Sequence, residues 1–367
     1  MLRIAGPGDL DSLVEVENKA FPSDRFTRRN FRYLLSKGNT LTFVFEEDKK
    51  VLAYGMLLFH SGTSLARLYS IAVVPEAQGK GIAKEMLKNL EAEARERDCI
   101  SMRLEVRKDN AKAIEVYEKN GYKKFGSILE YYEDGMEALR YEKLLVPQLE
   151  QELVKVPYYE QTLDFTCGPA SIMMAMNTIE PNLKLDRSLE LKIWRESTTV
   201  FMTSGHGGCG PYGLALAAYR RGFDVEIYLK EKEPMFLDSV RNLEKKEVMK
   251  LVQEDFMEEI QKLPILVEYH TLSLEDIIQK FNEGGIPVVL ISSYRIYREK
   301  FPHWVVITGY DDKYIYSHDP FVDYEKHKSP TDSINMPILK KEFQKMASYG
   351  KTGQKASIII KKRGNNL

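Results

Sequence analysis

An apolar run from Leu68 to Val74, the loop Gln78-Gly79-Lys80-Gly81-Ile82-Ala83 and a charged amphipathic stretch follow one another almost without interruption. That order predicts a strand, a small-residue loop and a helix from about Gly79 to Arg97, the repeating logic of a layered α/β fold. Small residues let backbone N–H groups approach an anion, and the helix N-terminus adds its positive end. A Gly-rich turn can equally do no more than join a strand to a helix, so the reading depends on residues further along.

The surroundings keep the same alternation. An amphipathic run at Leu10, Leu13, Val14 and Val16 precedes extended segments at Leu41 to Phe45 and Val51 to His60; after the loop come a strand Ser101 to Val106, a helix Ala111 to Asn120 and a closing strand pair. The chain has 367 residues, and at roughly 100 to 200 residues per domain it divides naturally in two. The stretch Val146 to Pro157, with prolines near both ends and no clear alternation, predicts the junction. We therefore expect one domain at 1–146, a linker at 147–156 and a second domain at 157–367.

Several classes of function are disfavoured at this stage. A net charge of −1 with 29% charged and 43% hydrophobic residues gives no basic bias toward nucleic acid and no composition of disorder. The N-terminus MLRIAGPGDLDSLVEVENKAF lacks the pattern of a secretory signal, and no run of about 18 apolar residues occurs, so a cytoplasmic protein without a membrane partner is expected. Cys99, Cys167 and Cys209 are an odd, sparse set with no CxxC pair, which predicts neither a disulfide framework nor a metal site. Each thiol is then a buried small hydrophobe or a nucleophile.

Downstream of the loop, the block from Leu104-Glu105-Val106-Arg107 through Asn110, Ala113 and Tyr117 to Gly121-Tyr122 completes a pattern. Together with Gln78 to Ala83 it resembles the GNAT N-acetyltransferases, of the type that acetylates N-terminal amines of ribosomal proteins, over about residues 1 to 145. The resemblance implies acetyl-CoA as cofactor. The amides around Ile71, Ala72 and Val73 would hold its pantetheine arm, and the loop Gln78, Gly79, Lys80, Gly81, Ile82 and Ala83 its pyrophosphate, with Asn110 also touching it. Ala83 stands where the family more often has Gly. Glu105 matches the general base and Tyr117 the general acid; an ammonium must lose a proton before attack, and a departing thiolate must gain one. Phe21-Pro22 and Tyr131-Tyr132 fall where such enzymes wall the acceptor channel, although aromatic packing explains them equally well. The acceptor is expected to be a primary amine of a peptide or protein.

The second half carries different chemistry. Gln161-Thr162-Leu163-Asp164-Phe165-Thr166-Cys167-Gly168-Pro169 runs straight into an apolar helix, and a cysteine at a helix N-terminus favours its thiolate form. A glutamine six residues earlier can return to donate to an oxyanion. His303 opens the apolar strand HWVVITGY, and Asp319 precedes Pro320 after YIYSH, so an imidazole to deprotonate the thiol and a carboxylate to orient it follow in order. This constellation resembles the double-glycine peptidases that process bacteriocin leaders, over roughly 155 to 325. It implies a papain-like α+β cysteine peptidase fold behind the α/β GNAT fold.

Other features stay open. Cys209, in Gly208-Cys209-Gly210-Pro211, echoes Cys-Gly-Pro at Cys167 but has no Gln at the same spacing; with His206 nearby, a structural thiol, a second nucleophile and a metal ligand are all readings of the Ser204 to Gly213 loop. The segment Trp194 to Arg221 departs from ordinary leader peptidases, and no membrane span or nucleotide-binding P-loop follows. Glu231 to Glu259 predicts a solvated surface helix, and the last third is rich in strands. The leading expectation is a bifunctional enzyme that acetylates amines and cleaves or transfers peptides through a thioester at Cys167; both sites serving one peptide and a fusion of two unrelated activities stay open. The alternatives are a peptide-binding platform in place of one catalytic domain, or a GNAT domain that uses another acyl donor.

Overall fold

In the computed structural model, which describes residues 1–146, 149–199, 207–240 and 242–364, contacts divide the chain into two units, Met1–Leu149 and Glu150–Leu367. The first unit alternates as its apolar pattern demands: β1 (Leu2–Ile4), α1 (Leu10–Ala20), α2 (Arg28–Ser36), β2 (Thr40–Glu47), β3 (Lys50–Phe59), β4 (Leu65–Val73), α3 (Ile82–Glu96), β5 (Ser101–Arg107), α4 (Ala111–Lys119), β6 (Lys123–Ile128) and β7 (Ala138–Leu144). Its sheet runs β1-β2-β3-β4-β5-β7-β6, antiparallel except between β4 and β5.

Successive residues of β3 point to opposite faces. Tyr54 reaches Glu17 of α1 and packs edge-on against Phe31 of α2, whereas a Cβ on its neighbour Gly55 would strike Met86 and Leu90 of α3. Helices thus cover both faces, which is why β3 reads as an almost unbroken apolar run. Each such side chain removed from water contributes about 1.5–3 kcal/mol.

β4 and β5 pair only from Leu65–Ser101 to Leu68–Leu104. Beyond that point β4 pairs with β3 alone and β5 with β7 alone, so the two strands part. The parting opens the sheet beside the start of α3.

The second unit contains β8 (Glu152–Leu153), α5 (Cys167–Ile179), α6 (Arg187–Ser197), α7 (Pro211–Tyr219), β9 (Phe223–Leu229), α8 (Leu243–Ile260), β10 (Leu266–Glu268), α9 (Leu274–Asn282), β11 (Ile286–Ser292), β12 (Pro302–Tyr310), β13 (Tyr314–His318), β14 (Met336–Leu339) and β15 (Ala356–Lys362). Its sheet runs β10-β9-β15-β11-β12-β13-β14, with β8 added against β12. Period-2 alternation sorts the side chains: Val288, Leu290, Trp304 and Val306 join the core of α5 and α7, while Val289, Ile291, Val305 and Ile307 join Leu274, Ile277 and Phe281 of α9. Buried on both faces, β11 reads as IPVVLIS without a polar break until its last residue.

Two sequence expectations change. The stretch expected as linker at 147–156 contributes β8, where Glu152 and Leu153 pair with Tyr310 and Gly309. The surface helix expected from Glu231 begins only at Leu243, capped by Asn242, and it is not wholly solvated: Met249, Gln253, Phe256 and Ile260 form a buried face at helical spacing. The helices α6 and α9 and the strand β9 were not anticipated, although β9 begins with the alternation Phe223-Asp224-Val225-Glu226-Ile227 and α9 opens on a capping box of Ser273 and Asp276. Among the described residues, no helix is long and apolar enough to cross a membrane.

Candidate functional site

In the first unit the parted strands border a cleft of about 450 Å³ lined by Ile71, Ala72, Val73, Gln78, Gly79, Gly81, Ile82, Ala83, Asn110 and Tyr117, together with Phe21. Gly81 caps α3 at φ +82°, and Gly79 lies at φ +80°; a Cβ at either would meet no atom within 4 Å, so their missing side chains leave an open cradle. The first N–H groups of α3 have no partner within their own helix and lie at its positive end. This donor set suits a pyrophosphate. Lys80 is not on the cleft, and its Nζ lies 3.9 Å from Glu47. Asn110 lines the cleft and also caps α4, its Oδ1 accepting from the Ala113 N–H at 3.1 Å.

Tyr117 is buried on α4, packed edge-on against Tyr122, and burial pushes its hydroxyl well above the usual range, which keeps it protonated. Glu105 does not line the cleft. Arg67, buried on β4, meets it at 2.8 Å and also donates to the Tyr131 hydroxyl at 3.0 Å. Burial likewise pushes Tyr132 up, with Tyr131, Glu105 and Tyr117 adding to the effect, so these four groups share one neighbourhood. Arg67 was missed from the sequence, although a lone cation inside the apolar run Leu65–Val73 was its signal.

In the second unit α5 lies on β11, β12 and β15. Ser171 Oγ donates to the Trp304 carbonyl at 3.0 Å, and a Cβ on Gly168 would come within 3.2 Å of the Trp304 ring, so the helix start sits tight against the strand that carries His303. Cys167 is the first residue of α5, and its thiol stands near enough to the His303 imidazole to help raise that ring's pKa. His303 Nε2 lies 2.6 Å from Asp319 Oδ1. Asp319 Oδ2 accepts from the Tyr297 hydroxyl at 2.6 Å, and Oδ1 also accepts from the Phe321 N–H at 2.8 Å. The rings of Tyr297, Phe301 and Phe321 surround His303 at centroid distances of 6.0, 5.9 and 6.4 Å.

Electrostatics follow from this enclosure. Burial alone would lower the His303 pKa; Asp319 and then Cys167 outweigh it and raise it. Burial alone would raise the Asp319 carboxyl, and His303 outweighs it to hold the group below the usual carboxylate range. The neighbouring His318 is otherwise engaged, between the Val156 carbonyl at 2.9 Å and the Asn335 N–H at 2.9 Å.

Gln161 donates its backbone N–H to Pro320, next to Asp319, at 2.9 Å. Its side-chain Nε2 donates to Leu163 O at 2.8 Å, leaving one of two amide hydrogens for another acceptor. The loop between Gln161 and Cys167 is anchored by buried Glu190, which accepts from the Tyr159 hydroxyl at 2.9 Å, Thr162 N at 2.8 Å, Thr162 Oγ1 at 2.6 Å and Thr166 Oγ1. Nothing in the sequence distinguished Glu190 or Tyr297 from other polar residues.

Cys209 is buried, bridges to Thr198 and receives the Trp304 indole N–H on its carbonyl at 3.1 Å. Burial, with Cys167 nearby, pushes its thiol well above the usual value. His206 and the rest of 204–206 lie outside the described residues. Among the described residues, no group of His, Cys, Asp and Glu could hold a metal ion.

Comparison with known proteins matches the Acetyltransferase (GNAT) family over residues 10–122 and the Peptidase_C39 like family over residues 156–361. An uncharacterized N-acetyltransferase from Methanocaldococcus jannaschii is 32% identical over 132 residues, covering 36% of this chain and 83% of that protein. An N-alpha-acetyltransferase from Saccharolobus solfataricus is 30% identical over 148 residues, covering 37% and 88%. Among solved structures, the ribosomal-protein-S18-alanine N-acetyltransferase from Escherichia coli has 25% identity, 41% coverage of this chain and 99% of its own, with a TM-score of 0.36. With a GNAT acetyltransferase domain in its first unit, the chain belongs through its second unit to the Peptidase_C39-like family.

Proposed function

We propose that the chain is a bifunctional peptide-modifying enzyme, an N-acetyltransferase acting on a primary, N-terminal amine joined to a cysteine peptidase. GNAT acetyltransferases use acetyl-CoA, which when bound supplies an acetyl group activated as a thioester. In this reading the amides of Ile71 to Val73 hold the pantetheine arm, while those of Gly79 to Ala83 and the positive end of α3 hold the pyrophosphate. Asn110 borders the same cleft. Glu105, its charge balanced by Arg67, takes the proton from the acceptor ammonium, and Tyr117 gives its proton to the departing thiolate. The cleft lined by the Gly79 and Gly81 cradle together with Tyr117 is the observation that supports this half.

For the second unit, the contact of His303 with both Cys167 and Asp319 carries the proposal. The Cys167 sulfur attacks the scissile carbonyl, and the remaining Gln161 amide hydrogen stabilises the oxyanion. The C–N bond then breaks, His303 hands its proton to the departing amine, and the acyl group stays on sulfur as a thioester. Water, deprotonated by His303, releases it and restores the thiol. The enclosing aromatic rings limit solvent access to the ion pair.

A peptide library incubated with the full-length protein, with and without acetyl-CoA, tests both halves by mass spectrometry. Acetylated N-termini that disappear in Tyr117→Phe, and cleavage that disappears in Cys167→Ala, are the expected result. A library unchanged in mass would overturn the proposal.

A further inference from the structure

Lys328 is only 5% exposed, and its Nζ has no hydrogen-bond partner among the described residues. A buried ammonium that uses none of its three donors is costly, so its retention calls for a compensating charge. Lys328 Nζ lies 4.4 Å from the centroid of the Tyr297 ring. The hydroxyl of that ring donates to Asp319 Oδ2 at 2.6 Å, and Asp319 Oδ1 meets His303 at 2.6 Å. Ammonium, ring, carboxylate and imidazole form one line of contacts ending at Cys167.

We propose that Lys328 is a positioning residue for the second site, serving as the counter-charge of Asp319 whenever His303 is neutral. The inference rests on the reading of Cys167, His303 and Asp319 as a catalytic set. When His303 passes its proton to a leaving amine, Asp319 is left as a buried carboxylate facing an uncharged ring. Without a compensating cation, that carboxylate would pull the proton back and slow its release. A cation held over the Tyr297 ring offsets the pull, and it also strengthens the Tyr297 hydroxyl as a donor to Asp319.

The charges around the line are consistent with this role. Burial pushes the Lys328 ammonium down, while Asp319, Asp332 and Asp323 favour it and Lys326 opposes it. Asp323 is already engaged with Lys326 at 2.9 Å, and Asp332 Oδ2 accepts from the Ser329 N–H at 2.9 Å. His303 and Asp319 are faced by Cys167 from α5, by Tyr297 and by Tyr158, whose hydroxyl donates to the Asp319 carbonyl at 3.1 Å. Cys209 stands near Cys167.

The test is the pH profile of Cys167 alkylation by iodoacetamide in the full-length protein, read by mass spectrometry of the Cys167 peptide. Wild-type protein is expected to show an upper inflection where His303 loses its proton, absent from His303→Ala. Lys328→Met should move that inflection up by about one pH unit. Tyr297→Phe should move it in the same direction, and it carries the test if Lys328→Met does not fold. A folded Lys328→Met protein whose labelling rate changes while the inflection stays in place would overturn the inference and leave the catalytic set intact. A wild-type profile identical to that of His303→Ala would overturn both.

Discussion

Arg67 Nε stands 2.8 Å from Glu105 Oε2, and the two side chains are only 3% and 4% exposed. The pair joins the strands β4 and β5 at the point where they stop pairing, since Leu68 and Leu104 form the last matched position. The proposed base is therefore held by a cation from the neighbouring strand. Arg67→Met should destabilise this region by about 3–5 kcal/mol, because a buried carboxylate loses its partner. The double variant Arg67→Met/Glu105→Gln should recover most of the loss. Hydrogen exchange of the Leu65–Val73 segment measures it, and unchanged protection in Arg67→Met would rule out a closed pair.

Tyr117→Phe should lower acetyl transfer by roughly 10² to 10⁴, the usual worth of a positioned acid. Acetyl-CoA affinity should barely change, since only a hydroxyl at the cleft wall is lost. Wild-type turnover in the variant would show that the proton comes from elsewhere.

Gly81→Val should abolish acetyl-CoA binding. A branched residue is a poor occupant of φ +82°, and its side chain would project into the open cradle beside α3. Calorimetry on the folded variant decides the matter; an unaltered affinity would move the cofactor away from this loop.

At neutral pH iodoacetamide should label Cys167 alone. Burial pushes the Cys99 thiol up to about 12, and burial together with the nearby Cys167 pushes Cys209 well above its usual value. Cys167→Ala, and not Cys209→Ala, should then remove both peptide cleavage and labelling. Label found on Cys209 with Cys167 untouched would reverse the assignment.

The His303–Asp319 pair should make the stability of the second unit depend on pH. Asp319 has a lowered folded pKa, so its contribution is complete above the unfolded value of about 3.9 and fades as pH falls through the folded one. His303 has a raised folded pKa, so its contribution is complete below the unfolded value of about 6.5 and fades as pH rises through the folded one. Urea unfolding of wild type and Asp319→Asn should differ most, by about 3 kcal/mol, between those two limits. Tryptophan fluorescence isolates the second unit, because the chain has 2 tryptophans and they are Trp194 and Trp304. A difference that does not vary with pH would mean that the pair does not form.

Much of the fold was readable along the chain wherever one segment carries its own signal. The strand, loop and helix around Gly79 to Ala83 were readable because small residues, apolar run and amphipathic period adjoin. Cys167 at a helix start was readable for the same reason. β8 was not, since two residues of an irregular segment become a strand only when Gly309 and Tyr310 offer their edge. The late start of α8 was missed although Pro234 and the apolar Met235, Phe236 and Leu237 interrupt the charged stretch before its cap at Asn242.

Residue type and order were enough to name Cys167, His303 and Asp319 as candidates, because each stands in a local context that suits its chemistry. Folding decided how each is held: His303 Nε2 meets the Asp319 carboxylate, whereas His318, next to Asp319 in the sequence, is engaged by Val156 and Asn335. The same holds for Arg67, Tyr297, Lys328 and Glu190. Their surroundings are assembled by folding from distant parts of the chain, as where Arg67 meets Glu105, 38 residues away. Local propensity and pattern are written into neighbouring residues; the energy of a buried charge depends on what folding sets against it.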